Sequence, residues 1–377
     1  MAMAPSDWAS LPSDLVCRVS EVFLATSDVD YYMSLRAVCR NWRAATDDPR
    51  GPDPRFSPRG WVLISSLAGD GHSGRRCLFL HVETGRFLWK DLPMLADYTC
   101  IASTEDGHLV LEPASTNSRI CLLNPITGHL VRFPVTITQF LGGNEFRLKH
   151  KHRRSMFATC SSSMVLYSLF DDPSSGGCID LTWDAVFNRE SLFKAMPTLG
   201  TVSAMVPFKG RAYIVTNNGT VAVLEHNCGM DEKPVVNTVV SKQLNWLDDR
   251  TTFLVDNAGE LLLVGLLASK KEMEVFRVDA ENGVLEQIKS IGNRAIFLGW
   301  QRSLSVDASN LQAIESNCIY YIDSGLDGDI CVHCLNDGSH MELSDSIGQF
   351  VGGEGLMGKN SPKSLARILM EYAYYGM

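Results

Sequence analysis

The side chains in this sequence with the most chemical potential are its thiols and imidazoles. Cys331-Val332-His333-Cys334 sets two cysteines three residues apart around a histidine. That spacing can ligate zinc or cycle as a dithiol. A structural zinc site needs four ligands, yet no second pair stands at a suitable spacing, and Cys318 is the nearest other thiol. The tetrapeptide also lies in a strand-like run, where positions i and i+3 point to opposite faces, whereas a redox pair ordinarily opens a helix. These cysteines therefore read as strand residues, and no metal and no cofactor is expected. A second cluster, Leu148 to Arg154, is basic and reads as a solvated loop rather than a nuclear localisation signal or an anion site. Gly142-Gly143 and Gly352-Gly353 lack the Lys and Ser/Thr of a phosphate cradle. No nucleophile elbow, HExxH, GxGxxG or triad pattern occurs, so nothing positive supports an enzyme.

Composition narrows the classes. The 377 residues carry 34 Lys+Arg against 43 Asp+Glu, a net charge of −9, so there is no global footprint for nucleic acid. Charged residues make up 20% and mean hydropathy is near zero, an ordinary globular composition. The N-terminus shows neither a basic n-region nor an apolar h-region, and the longest apolar run, 261–268, is too short to span a bilayer. The expectation is a protein of the cytosol or nucleus, with no membrane partner and with its eleven cysteines reduced. The sequon Asn218-Gly219-Thr220 then reads as a turn.

Most of the chain consists of elements that would position loops rather than catalysts. From Gly60, short β-prone runs alternate with Gly, Asn and Asp turns. Three hairpins look alike, at 101–113, 213–224 and 253–264. A second type recurs at 79–93, 121–134, 275–288 and 331–343, where a strand meets a polar turn with Gly and a second strand leaves towards an apolar exit. Near-regular hairpins with almost no helical periodicity predict an all-β domain, a β-propeller or a large sandwich. At roughly 40–50 residues per blade, a propeller would have six or seven blades.

The N-terminal segment, residues 7–46, differs in texture. Pro12 stands where a helix can begin, and Ser13 and Asp14 suit the positive end of its dipole. Leu15, Val16, Val19, Val22 and Phe23 share one helical face. Asp28 or Asp30 can cap a second helix. A third carries Val38, Trp42 and Ala45 at i, i+4 and i+7, with Arg36, Arg40 and Arg43 on a basic face. Some forty residues are too few for a comfortable core of their own, so an interaction module follows.

This segment resembles an F-box. The family pattern is met by Trp8, Leu11, Pro12, Asp14, Leu15 and Val16, then by Arg36, Val38, Cys39, Trp42 and Arg43. The resemblance implies that Leu11, Pro12, Leu15, Val16 and Val19 contact a Skp-type adaptor, which in turn binds a cullin, while Val38 and Trp42 hold the helices together. Residues 290–324, with Ile291-Gly292, Phe297-Leu298-Gly299, Ser303-Leu304-Ser305 and Asn317-Cys318-Ile319-Tyr320-Tyr321, resemble a large plant group of F-box proteins whose other domain is catalogued as domain of unknown function 295. That resemblance implies a kelch-like propeller and names no substrate.

The expected layout is a small all-α F-box of three helices at 7–48, a Pro-rich linker at 49–59, an all-β propeller-like domain at 60–350, and a tail at 351–377 ending in an amphipathic helix. Ser361 or Ser364 would cap that helix, with Leu365, Ile368, Leu369 and Tyr372 on one face. The expected function is a non-catalytic substrate receptor of an SCF-type ubiquitin ligase, its β-domain holding a target protein that the sequence does not name. The alternative is a non-ligase propeller that sequesters or scaffolds a partner.

Overall fold

The computed structural model describes residues 8–50, 53–68, 75–104, 106–113, 119–136, 155–160, 165–170, 180–181, 186–187, 202–225, 235–240, 250–267, 272–299, 302–311, 314–323, 329–346 and 364–375. The chain opens with three helices, α1 (Ser13–Ala25), α2 (Val29–Ala37) and α3 (Arg40–Ala44). Asp28, not Asp30, caps α2, accepting a hydrogen bond from the Tyr31 N–H at 3.2 Å.

Sheets follow. β1 (Trp61–Ala68), β2 (Arg75–His81) and β3 (Phe87–Leu92) form the first, and β4 (Tyr98–Ser103), β5 (Leu109–Pro113), β6 (Arg119–Leu123) and β7 (Leu130–Thr136) the second. Two two-stranded ladders come next, β8 (Ser155–Cys160) with β9 (Val165–Phe170) and β10 (Asp180–Leu181) with β11 (Val186–Phe187). A four-stranded sheet holds β12 (Val202–Phe208), β13 (Arg211–Thr216), β14 (Val221–Glu225) and β15 (Val235–Val240). Another holds β16 (Arg250–Asn257), β17 (Glu260–Leu267), β18 (Glu272–Asp279) and β19 (Val284–Ile288). The last is built from β20 (Arg294–Leu298), β21 (Ser303–Asp307), β22 (Cys318–Ile322), β23 (Asp329–Cys334) and β24 (His340–Ser346). A final helix, α4, spans Leu365–Tyr375.

All seven hairpins expected from the sequence are antiparallel ladders. The four of the second type are the last two strands of their sheets. Their turns share one geometry. His81, Asn124 and Cys334 each donate to the carbonyl five residues on and accept from the N–H four residues on. The glycine at that fourth place has positive φ in all four turns (Gly85, Gly128, Gly283 and Gly338), which is why glycine recurs there.

The number of blades differs from expectation. Among the described residues, five sheets have three or more strands, not six or seven. Dividing length by a uniform repeat overcounts, because the last sheet takes five strands. Its order is β21-β20-β22-β23-β24, with β22 added parallel to β20 after a crossover. Among the described residues of the 155–187 stretch there are the two short ladders.

Neighbouring sheets bury their faces against one another. Trp61, Leu63 and Phe79 of the first pack with Leu109, Leu111 and Leu123 of the second. Val215, Val223 and Leu254 join the β12–β15 and β16–β19 sheets, and Leu262, Val264, Ile296 and Ile319 join the latter to the last. Each such side chain contributes roughly 1.5–3 kcal/mol. The ring closes where the last sheet meets the first, and α4 fills that junction. Ala366, Leu369, Met370, Tyr372 and Ala373 are buried between Val62 and Leu80 on one side and Phe297 and Tyr320 on the other. Ser364 caps α4, accepting from the Arg367 N–H at 3.2 Å, while Ser361 lies outside the described residues. Gly299 lets the helix sit this close, since a side chain there would run into the backbone of Ala373 and Tyr374. Buried Arg302 ties the junction together. It donates to the Ser103 carbonyl at 2.6 Å, the Thr104 carbonyl at 3.2 Å and the Tyr372 hydroxyl at 2.7 Å.

Candidate protein-interaction face

Helix α1 has more apolar surface than its neighbours can cover. Val16 and Ser20 are buried, and Phe23 packs on Tyr31 with ring centroids 5.6 Å apart. Leu15, Val19 and Val22, at i, i+4 and i+7, form a stripe on the outer side and are 40%, 43% and 60% exposed. Trp8 in the preceding 3-10 turn and Tyr31 at the start of α2 add exposed aromatic surface.

The inner side is held by hydrogen bonds to the chain leaving α3. Arg36 is buried and donates from Nη1 to the Thr46 carbonyl at 2.7 Å, the Thr46 hydroxyl at 2.9 Å and the Asp47 carbonyl. It also donates to the Arg43 carbonyl at 3.3 Å, one that the end of α3 leaves without a backbone partner, so the guanidinium supplies charge-assisted donors to the helix end and to the chain just past it. Tyr32 donates to the Asp47 carbonyl at 2.8 Å, its hydroxyl pushed up in pKa by burial. Cys17 donates through sulfur to the Ala45 carbonyl at 2.8 Å.

The helical unit is seated on the first sheet. Val29 is fully buried beside Trp61, Cys77 and Phe79. Arg86, in the turn between β2 and β3, reaches back to Asp28 at 2.7 Å and Asp30 at 2.9 Å. The same guanidinium lies over the rings of Tyr31 and Trp61, at 4.1 and 4.8 Å from their centroids. The other end of that turn grips the last sheet, where Glu83 accepts both Arg294 donors at 2.7 Å. The described part of the connector is pinned as well. Phe56 is buried against Tyr32, its carbonyl accepts from the Asn124 side chain at 2.7 Å, and Ser57 donates to Asp106 at 3.1 Å. The helices therefore have a set orientation on the β-domain.

Residues 76–335, from β2 to just past β23, match the family model described as KIB1-4 beta-propeller. The chain belongs to that family. Relatives of this KIB1-4 beta-propeller protein are F-box proteins of Arabidopsis thaliana. F-box protein SKIP23 is 23% identical over 305 residues, covering 75% of this chain and 68% of its own length. Two further F-box proteins of that plant are 22% identical over 372 and 391 residues, covering 91% and 93% of this chain and 95% and 96% of theirs.

The residues singled out in the KIB1-4 protein's N-terminal segment fall into two groups. Pro12, at the N-cap of α1, and Leu15 and Val19 are exposed, and Leu11 is half-buried. Val16, expected on the outside with them, is 2% exposed and faces inward; one turn of helix carries both directions, and periodicity alone does not say which edge is covered. Val38, expected to hold the helices together, is 56% exposed at the junction of α2 and α3. Tyr32, Leu35 and Arg36 take that interior role, which removes Arg36 from the expected basic face. Trp42 is half-buried and its indole donates to the Trp8 carbonyl at 3.2 Å. The missed seam residue is Arg86, whose partners lie 56 and 58 residues away. Elsewhere, the Asn218 sequon is the β13–β14 turn, with the Asn218 side chain accepting from the Thr220 N–H at 3.1 Å. The basic cluster at 148–154 lies outside the described residues.

Proposed function

We propose that this protein is the substrate-receptor subunit of an SCF-type ubiquitin ligase in the cytosol or nucleus. The α1–α3 unit is its F-box, docking on a Skp-type adaptor and through it on a cullin, and the propeller holds the target protein. The observation that carries the reading is the exposed apolar stripe Leu15–Val19–Val22 on a unit whose other side is packed and hydrogen-bonded. The F-box names of the relatives and the likeness of residues 290–324 to a plant F-box group support it. No residue of the chain needs to act chemically. A receptor contributes proximity, raising the effective concentration of target lysines near a charged conjugating enzyme. The seated helices suit that task, because a set angle between F-box and propeller determines where the target is presented.

The test is reconstitution of purified wild type with adaptor and cullin, beside a Leu15→Asp/Val19→Asp double variant. Both positions are exposed, so stability should stay within about 0.5 kcal/mol of wild type. Adaptor affinity should drop by roughly 100-fold or more, about 2.7 kcal/mol. Wild type that binds neither protein overturns the reading, and wild type that takes adaptor but never cullin turns it into an adaptor-bound scaffold.

A further inference from the structure

We propose that Glu315, Cys318 and Cys334 form a binding site for one thiophilic divalent cation of the zinc class, on the last sheet and independent of the adaptor face. Among the described residues they are the group of three ligand-type side chains whose donor atoms all lie within 4.8 Å of one another. The Glu315 carboxylate oxygen is 3.9 Å from each sulfur, and the two sulfurs are 2.9 Å apart.

The site is a product of strand register. Cys318 opens β22 and Cys334 closes β23, and the two are directly opposite in that ladder. The Leu335 N–H donates to the Asn317 carbonyl, so the adjoining 317–335 pair is hydrogen-bonded and 318–334 is the close, non-hydrogen-bonded kind. The same alternation sends Cys331 to the opposite face, where it is buried with Ile319 and Tyr321. The partner of Cys334 is thus Cys318, not the cysteine three residues before it.

The surroundings hold the donors in place. Asn317, in left-handed backbone at φ 58°, accepts from the Ile291 N–H at 2.8 Å and donates to Asn336 at 2.6 Å. It thereby links the segment carrying Glu315 and Cys318 to the turn after Cys334. The Glu315 N–H donates to the Tyr320 hydroxyl at 2.9 Å.

Tetrahedral zinc, with Zn–S of about 2.3 Å and Zn–O of about 2.1 Å, needs S···S near 3.8 Å and S···O near 3.6 Å. The S···O distances already suit it, and the sulfurs must part by about 0.9 Å, within reach of a side-chain rotation at half-buried Cys334. On binding, both thiols release their protons to buffer and no electron moves. Glu315 is exposed, so the fourth position opens to water or to a group from a partner.

The experiment is titration of the full chain, kept reduced with a phosphine, with cobalt(II) and then zinc(II). Wild type should show thiolate-to-cobalt charge transfer at one equivalent more than Cys318→Ser or Cys334→Ser. Glu315→Gln should keep that band with affinity reduced roughly tenfold or more. The half-buried Cys334→Ser and the exposed Glu315→Gln, checked by circular dichroism, guard against loss of folding at Cys318. Equal metal uptake by wild type and both serine variants overturns the proposal. So does a Cys318–Cys334 disulfide, formed on peroxide treatment and mapped by mass spectrometry, in a protein that takes up no metal when reduced.

Discussion

The helical unit presents two apolar surfaces that a hydropathy profile does not tell apart. One is the seam, where Val29 and Met33 meet Trp61, Phe79 and Leu95 of the first sheet and its 3-10 extension. The other is the outer edge of α1, where Leu15, Val19 and Val22 face water. What separates them is charge. The seam is closed by Arg86 between Asp28 and Asp30, largely buried and stacked on two rings, whereas among the described residues no charged partner closes over the outer stripe. A buried apolar face with a paired charge beside it is settled structure, and the uncovered one is the face proposed to dock the adaptor.

The sharpest way to break this contrast is Val29→Asp. Val29 is 0% exposed, so the change puts an unpaired carboxylate among Trp61, Cys77 and Phe79. It should cost more than about 4 kcal/mol of the unit's stability. Hydrogen exchange should show α1–α3 opening while β16–β19 stays protected. Adaptor binding should be lost although Leu15, Val19 and Val22 are unchanged, in contrast to Leu15→Asp/Val19→Asp, which should lose binding without opening.

Arg86→Ala is expected next in size. It strands Asp28, whose side chain is 6% exposed, and removes both ring contacts, a loss of about 2–3 kcal/mol. Asp28 keeps its capping bond to Tyr31, so the helix itself should survive and only its seating should loosen. Arg86→Lys should recover part of the loss, since one ammonium cannot span both carboxylates as the guanidinium fork does. Amide exchange in α2 against that in β2 separates seating from unfolding. If α2 and β2 open together, the seam is part of one cooperative unit with the sheet.

These positions also show what the sequence could reveal. The hairpins were legible because their signal is local: a strand pattern, a polar turn, and a glycine four residues into it. Asp28 and Asp30 looked equivalent as caps; Asp28 became the cap, and both became ligands for Arg86. Those ion pairs depend on a turn more than fifty residues away. Val16 and Val38 exchanged their expected environments for a similar reason, because period gives the faces of a helix and only packing decides which is covered. The pairing of Cys334 with Cys318 rather than Cys331 depends on register, which a one-residue slip would reverse. The blade count was beyond reach because the parallel addition of β22 has no signature that separates it from another hairpin.

The smallest effect expected at the seam is its response to acid. His81 is fully buried at the end of β2, edge-on to Trp61 at 4.9 Å between centroids. Burial holds its pKa below the ordinary value, with the nearby Asp28 charge opposing. A base whose pKa is lowered by folding binds protons more readily in the unfolded chain. Its contribution is therefore intact above about pH 6.5 and declines as pH falls below that. Protonated His81 would sit behind Trp61 and close to Arg86, so the seam should loosen before the sheets do. Denaturation followed by tryptophan fluorescence at pH 7.5 and pH 5.5 should show this decline, and His81→Phe should flatten it. The outer stripe contains no titratable group, so adaptor affinity should follow pH only as far as the seam does. Affinity that falls in acid while α2 exchange stays constant would place the sensitivity on the adaptor and leave the seam out of it.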